Sequence, residues 1–552
     1  MNNNHTPTIE GGEPLPLHEL IHHILESKTT ATERLFYGIP VLGTMQLLNQ
    51  RLANQPGLNF FNATLRGIGQ AIFVNNPMSG LLIIIAMFIQ SPWLGIMSLI
   101  GTSSATLTAI ALKLNPSAIQ NGIFGLNGLF VGATLAFFGL FGGKGVWNPS
   151  WIIAAIVLSA LSTIVLQTVG TWFATRFRVA PLGIAFHVVL YTFLLLIAIV
   201  PQPFFHLGSP PPLPSPVSLD FWRVAQSLPV SLGQVFFVDN LISILLVFLA
   251  VFIATPIGAM VGLLGCVMYL LAGLLVGARP AQLYSGFLGY NAVFTAMAIG
   301  GIFYAPNTLS ISLGAACAFL ASIASLLLVP VFSVVRLPIL ALPFAVVTIA
   351  CLLIVQRALP SLFPVSLYTV ATPEEHRQRF LVARDIITRF RKQLTAAIKG
   401  ERHNVLFEQA SPEIKGNLRY IFDAIDRDRN GELSTHELAA HLQSAGKGFQ
   451  EGELTYLFKS IDRDGSGEID FEEFSELMLR HRRLMSRYTE FVTYFLPLDA
   501  DEDEFISTKE MNTALASVGE PPLSNDEIAF LRERTGGEPL TWNRFIEVLL
   551  VT

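Results

Sequence analysis

Gly67–Gly80, GIGQAIFVNNPMSG, and Leu232–Ser243, LGQVFFVDNLIS, carry one uncommon residue order. Each has glycine then glutamine, phenylalanine three places after the glutamine, then valine, asparagine or aspartate, asparagine and finally serine. The two stretches lie 164 residues apart. The same shift places Pro92 on Pro256, Gly101 on Gly265, Pro116 on Pro280, Gly122 on Gly286, Gly125 on Gly289, Asn127 on Asn291 and Phe130 on Phe294. Apolar runs match one another by chance. Glutamine, asparagine, proline and glycine at one fixed offset do not, so the chain holds an internal duplication.

Ten apolar runs surround these stretches, at about 77–90, 92–112, 123–141, 150–170, 181–200, 241–254, 256–277, 287–304, 309–329 and 338–355. A bilayer-spanning helix needs about 20 mostly apolar residues, so the shorter runs predict broken or tilted helices. Of the 552 residues 52% are hydrophobic and 14% charged, with a mean hydropathy of +0.53; soluble domains carry about 25% charged residues. Residues 30–365 hold 11 Lys/Arg and 3 Asp/Glu, whereas 366–552 hold 23 and 33. An oily, mildly basic membrane part thus precedes an acidic, water-loving part. The Pro-rich stretch 201–217 splits the ten runs five and five, and an odd number per half predicts opposite orientations with a solute path at the repeat interface. The expected fold class is all-α: a polytopic membrane protein of two inverted five-helix repeats followed by a soluble helical domain. The expected boundaries are an N-terminal cytoplasmic segment 1–59, first repeat 60–200, inter-repeat loop 201–223, second repeat 224–356, basic amphipathic linker 357–416 and C-terminal domain 417–552.

Several functions are excluded. No basic face with interleaved aromatics suggests nucleic acid. Cys266, Cys317 and Cys351 have no paired spacing and read as buried hydrophobes. His187 is the one histidine clearly inside a run and reads as a satisfied buried imidazole, so no paired haem ligands exist. No Walker loop GxxxxGK[ST] occurs, which argues against an ATP-driven pump or a nucleotide-dependent enzyme. Met1–Ser27 lacks the basic start and apolar core of a cleaved signal peptide.

Helical spacing puts Gln70 beside Phe73 and Gln234 beside Phe237 on one face each. Present in both halves, the two phenyl rings are expected to face each other across the two-fold axis as a narrow slot, with an amide at its mouth. Such a slot admits a planar polar solute and rejects ions that would lose hydration uncompensated. Asn76, Asp239 and Asn240 stand before apolar runs and are expected to cap pore helices; Asp239 is read as a cap rather than a proton relay.

Two loops of the C-terminal part fit the EF-hand spacing. Asp426, Asp428, Asn430, Glu432 and Glu437 supply the first, with Gly431 at the sharp turn; Asp462, Asp464, Ser466, Glu468 and Glu473 supply the second, with Gly467. Glu432 and Glu468 would act through their backbone carbonyls. The implied cofactor is Ca2+, and Leu433 and Ile469 are expected to pair across the loops. A third loop, Asp499–Glu510, has Glu504 where glycine belongs. A fourth, ending in Arg544, has lost its ligands and is expected to pair structurally with the third. The linker helix near 372–400, with Arg377, Arg384 and Arg391 among apolar residues, suits anionic lipid or an EF-hand lobe. Its charge beside the last run predicts a cytoplasmic C-terminal domain.

Val74–Gly80 (VNNPMSG), Gln90–Thr102 (QSPWLGIMSLIGT) and Gly122–Ala136 (GIFGLNGLFVGATLA), echoed by Leu283–Gly301 and Arg336–Val346, resemble the urea transporter family over about 60–356. The resemblance implies a passive channel-like carrier for urea, assembled as a homotrimer in a lipid bilayer with one pore per subunit, in a plasma or inner membrane. It makes Gln70, Phe73, Gln234 and Phe237 the outer and inner slot residues and suggests Thr163 and Ser322 as hydroxyls along the path. The chain departs from the family in reading FGLNG for YGYNG and VAPLGIAFH (Val179–His187) for LPxxTxPFN. A close amide or ammonia therefore stays open as the solute, beside a calcium-gated ion channel as the alternative from another class.

Overall fold

The computed structural model describes residues 35–36, 39–40, 45–138, 149–177, 179–200, 204–205, 219–335, 337–358, 362, 364–365, 370–399, 407–408, 410–437, 440, 462, 465–486, 505–534 and 540–541. It forms two compact units, Glu26–Arg379 and Met1–Leu25 with Phe380–Thr552.

Each of the ten apolar runs in the first unit contains a helix. The first half contains α1 (Pro56–Gln70), α2 (Pro77–Gln90), α3 (Pro92–Ala111), α4 (Gly125–Phe138), α5 (Pro149–Phe177) and α6 (Ile184–Ile199). The second contains α7 (Phe221–Ser227), α8 (Leu241–Ala254), α9 (Pro256–Val276), α10 (Tyr290–Met297, extended by a π-turn to Ile302), α11 (Thr308–Val334) and α12 (Leu342–Ala358). Among the described residues, α3, α5, α9 and α11 are long and apolar enough to cross a membrane singly; α2, α4, α6, α10 with its π-turn and α12 are shorter, and Phe221–Phe236 meets α8 at 74°. Proline at the first helical position starts α1, α2, α3 and α9, where its missing N–H costs no hydrogen bond.

The duplication is written in the backbone. Left-handed residues recur 164 apart: Phe73 (φ 61°) and Phe237 (φ 56°), Lys113 (φ 52°) and Gly277 (φ 73°), Gly122 (φ 72°) and Gly286 (φ 59°). Leu182 (φ 49°) and Leu340 (φ 48°) recur at 158, because the connection before α11 is shorter than the one before α5.

The halves meet along α2 and α8. Ser79 Oγ donates to Ala250 O (2.6 Å) and Ser243 Oγ to Ala86 O (2.8 Å), so the start of each helix lies against the end of the other and the pair is antiparallel. Gln90, at the end of α2, accepts from Asn240 Nδ2 (2.5 Å) and donates to Asp239 Oδ1 (2.9 Å). Within the first half α3 and α4 touch backbone to backbone. A Cβ on Gly101 would sit 2.1 Å from Gly128 O, and in the second half one on Gly265 would sit 2.6 Å from Ala292 O. Such small-residue contacts are how helices associate when lipid removes the hydrophobic drive. The outside is aliphatic, as Ile153, Val157, Leu161 and Ile164 of α5 show, while Ser159, Ser162 and Thr163 of the same helix are fully buried. A soluble helix has the reverse pattern.

The unit boundary falls inside α13 (Pro373–Ile398). The second unit continues with α14 (Pro412–Ile425), β1 (Glu432–Leu433), β2 (Ile469–Asp470), α15 (Phe471–Ser486), β3 (Phe505–Ile506), α16 (Thr508–Ser517), α17 (Asn525–Arg534) and β4 (Leu540–Thr541). β1 pairs antiparallel with β2, Leu433 opposite Ile469, over a core of Phe422, Ile425 and Phe474. β3 pairs antiparallel with β4, Ile506 opposite Leu540, so the third and fourth loops are joined as the sequence suggests.

Candidate functional site

Gln70 ends α1, and the chain then turns in a Schellman cap: Val74 N–H reaches back to Gly69 O and Phe73 N–H to Gln70 O, both at 3.0 Å. The second half repeats the turn, with Val238 N–H to Gly233 O and Phe237 N–H to Gln234 O at 3.2 Å. Glycine is needed at 69 and 233 because a Cβ there would meet the carbonyls of Val74 and Val238 at 2.4 and 2.6 Å. The left-handed position of such a cap usually holds glycine as well; a side chain costs about 1–2 kcal/mol there. Both halves place phenylalanine at that position. Backbone strain borne twice in equivalent places points to a function for the ring. This corrects the expectation that glutamine and phenylalanine share a helical face: the phenylalanines lie beyond the helix, and Gln234 begins a 3-10 turn.

A single slot of two facing rings is also corrected. Phe73 meets Phe294 and Phe344 edge-on at 6.1 and 6.2 Å between centroids. Phe237 stacks on Phe137 at 4.7 Å and lies 6.4 Å from Phe287. Two aromatic clusters result. They are linked along one side of α10, where Tyr290 stands 6.2 Å from Phe287 and 6.2 Å from Phe294. Phe294 and Phe130, themselves 6.0 Å apart, were among the repeated positions, so their recurrence was the signal that could have placed them at the site. Phe137, Phe287 and Phe344 carried no such signal.

The amides differ. Gln70 Nε2 is buried with no protein partner, whereas Gln234 Nε2 donates to Ser285 O (3.2 Å). A buried amide N–H left unpaired costs about 1–3 kcal/mol and offers a donor to a solute carbonyl. Near Phe73, the fully buried Arg66 is held by three asparagines: Nε to Asn75 Oδ1 (2.6 Å), Nη1 to Asn49 Oδ1 (2.5 Å) and Nη2 to Asn121 Oδ1 (2.5 Å). This clamp fixes the turn after Phe73. Val230 stands at the equivalent place, so the clamp belongs to one half only.

Asn76 caps α2, accepting from Met78 N–H (2.8 Å) and Ser79 N–H (3.3 Å), and Asn240 caps α8, accepting from Ser243 N–H (2.9 Å). Asp239 does not cap; its carboxylate takes the Gln90 amide instead, because the asparagine after it already holds the helix N-terminus. Thr163 donates to Ala105 O (3.2 Å) and Ser159 O (3.3 Å), and Ser322 to Ala318 O (2.8 Å). Both hydroxyls are buried with their protons committed to helix carbonyls. His187 is only half satisfied: Nδ1 sits 2.6 Å from Gly183 O, while Nε2 is buried without a partner. Asn291 holds Leu340 O (3.2 Å) and Phe344 N–H (3.1 Å), but its counterpart Asn127 is buried with neither amide atom paired. The half that departs from the usual motif around Val179–His187 is the half that lacks this lock.

In the second unit Gly431 (φ 89°) and Gly467 (φ 83°) make the sharp turns. Asp426 Oδ2 accepts from Gly431 N–H (3.0 Å), Asp428 Oδ1 from Asn430 N–H (3.0 Å) and Asn430 Oδ1 from Glu432 N–H (2.9 Å). Glu437 accepts from Ser434 Oγ–H (2.7 Å), Ser434 N–H (3.0 Å) and Arg427 N–H (2.9 Å), which hold its carboxyl down at about 2. Carboxylate oxygens of Asp426, Asp428 and Glu437 lie within 4.8 Å of one another, and Asp426 Oδ1 is buried without a partner. Three converging carboxylates, one of which keeps a buried oxygen unpaired, suit a calcium ion. In the second loop Asp462 accepts from Ser466 N–H (3.0 Å) and Gly467 N–H (2.8 Å), and Glu473 from Asp470 N–H (3.2 Å). Glu468 N–H donates to Ser466 Oγ (3.3 Å). Asp464, Asp499 to Glu504 and Arg544 lie outside the described residues.

A duplicated bundle with aliphatic sides, buried polar groups and two aromatic clusters, followed by paired EF-hand loops, defines a multi-pass membrane transport protein with an EF-hand module. The urea transporter family model matches residues 61–356, more than half of the chain, and the chain belongs to the urea transporter family. It is accordingly a transporter and not an enzyme. An EF-hand domain pair matches 416–479. Urea transporter 1 of Ovis aries is 28% identical over 353 residues, and urea transporter 1 of Mus musculus 28% over 348; each alignment covers 62% of this chain and 89% of the relative.

Proposed function

We propose that this chain is a passive, channel-like urea transporter whose flux is modulated by calcium through the EF-hand domain. The observation that carries the reading is the pair Phe73 and Phe237, each held against backbone preference in an equivalent cap and walled by other rings. Aromatic faces accept the flat apolar face of urea, the unpaired Gln70 amide meets its carbonyl, and an ion entering the same space would lose hydration without compensation. Thr163 and Ser322 are proposed to offer lone pairs to urea N–H groups along the way. No bond is made or broken, so the solute gradient alone drives passage.

The antiparallel pairing of α2 with its own counterpart α8 supports two inverted repeats, 60–200 and 224–356, with the path between them. Family membership supports a homotrimer, and the basic residues of α13 next to the last apolar helix support a cytoplasmic EF-hand domain. Calcium is proposed to bind through Asp426, Asp428, Asn430, Glu432 and Glu437, and through Asp462, Asp464, Ser466, Glu468 and Glu473. When bound, calcium would supply the positive charge that neutralises these carboxylates, and the helices flanking the loops would take a new angle.

The test is urea flux into proteoliposomes with calcium and with chelator. Rates that differ support modulation, and identical rates remove it. A second reading, a permease for a close amide, is favoured by the unpaired Asn127 amide and His187 Nε2. Under it, acetamide would cross faster than urea; under the main reading it would cross more slowly.

A further inference from the structure

The family match ends at residue 356, yet the chain beyond it returns to the Phe73 site. Val370, Ala371 and Thr372 line one small cavity together with Phe73, Val74, Asn75, Asn76, Ala254 and Thr255. Thr372 and Glu375 form a reciprocal cap that starts α13: Thr372 N–H donates to Glu375 Oε2 (2.8 Å) and Glu375 N–H to Thr372 Oγ1 (3.3 Å). Glu375 and His376 are buried, and Pro373 packs over Gly301, where a Cβ would stand 3.1 Å from its ring. The fastening point is Glu374, whose Oε1 accepts from the N–H of Ile257 at 2.6 Å. Ile257 is the second residue of α9, where helix N–H groups lack intrahelical partners and the dipole favours an anion. Val365 N–H to Phe303 O (3.0 Å) and the bridge of Tyr304 with Pro364 hold the chain just before it.

At the other end of α13, Arg391 donates to Pro521 O, to Pro522 O (3.1 Å) and to Glu527 Oε2 (3.2 Å), all within the EF-hand unit, and Ile387 and Leu394 are buried at the same helical spacing. By sequence, the chain that leaves the segment fastened beside Phe73 continues into the unit that carries the calcium loops.

We propose that residues 370–376 are a strap across the Phe73 mouth, latched by Glu374 on the N-terminus of α9, and that calcium binding further along the chain controls flux through release of this strap. The proposal rests on the urea reading. Release of the Glu374 carboxylate frees the strap from α9 and opens the mouth; its return closes it.

The test uses full-length Ala371→Cys protein in proteoliposomes, since the three native cysteines are buried. Maleimide labelling of position 371 and urea flux are measured on the same vesicles. With Glu374→Ala added, labelling is expected to accelerate about tenfold, the scale of a lost hydrogen bond to a charged group. Urea flux is expected to rise and to lose its difference between calcium and chelator. Glu374→Gln, which keeps an acceptor and loses the charge, should fall between. Unchanged labelling in Glu374→Ala would overturn the latch whatever the flux. Faster labelling with measurable but unchanged flux would overturn the gate. Absent urea flux in every protein would instead overturn the urea reading, and the gate with it, while labelling would still report the latch.

Discussion

Ser79 and Ser243 hold equivalent places in the two halves, and each bonds a carbonyl in the other's helix, Ala250 and Ala86 respectively. This reciprocity ties the halves together at both ends of the α2–α8 pair. Ser79→Ala and Ser243→Ala should each lower stability by about 1 kcal/mol. The double variant should lower it by about the sum, since the two bonds share no partner. Thermal unfolding in detergent measures this; a double variant no less stable than either single one would show that the halves are not joined here.

The ring of Phe73 can be separated from its backbone. Phe73→Gly keeps the left-handed turn and deletes the ring, while Phe73→Leu keeps an apolar bulk without an aromatic face. Glycine should cut urea flux by about tenfold or more, the scale of a lost aromatic contact of ~1.5 kcal/mol, and leucine by less. The same pair at Phe237 should behave alike. Full flux in both glycine variants would leave the strained caps without a role in passage.

Calcium stoichiometry tests the second unit. Titration calorimetry should find two sites, one of which disappears in Glu437→Gln and the other in Glu473→Gln. Glu510 repeats the arrangement of Glu437, accepting from Ser507 N–H and Oγ–H at 2.8 Å each, so the third loop lacks chiefly its turn glycine. Glu504→Gly is expected to add a third site. A wild-type protein with no calcium site would remove the sensor.

The Glu437 carboxyl, held at about 2 against an ordinary 4.5 by the hydrogen bonds of Ser434 and Arg427, sets a pH dependence. Because its folded value is depressed, the stability it contributes is present above pH 4.5 and is lost as pH falls toward 2. The calcium-free EF-hand unit should therefore weaken across that window, and Glu437→Gln should flatten the loss. Chemical denaturation at stepped pH in chelator reads it; parallel curves for both proteins would contradict it.

The fold was legible because apolar runs and a polar duplication are local signals: every run contains a helix, and the glycines, prolines and asparagines of the repeat mark its turns and caps. The EF-hand loops were legible for the same reason, since Asp426 to Glu437 lie within one loop. The site was legible only in part. Phe73 and Phe237 were visible by recurrence, but their left-handed caps and their ring neighbours depend on which helices pack together. Asp239 misled because Asp and Asn are equally good caps, and only packing, which brings Gln90 against both, turns the Asp239 carboxylate to the Gln90 amide and leaves Asn240 Oδ1 for the helix N-terminus. The three asparagines around Arg66 come from three separate segments, and no spacing announces them.

Stopped-flow light scattering of proteoliposomes challenged with a urea gradient tests the central claim most directly. The account predicts that vesicles holding the full-length protein equilibrate urea many times faster than protein-free vesicles, while their sodium and chloride permeability matches bare lipid. Urea equilibration no faster than bare lipid, or a matching rise in ion permeability, would contradict it.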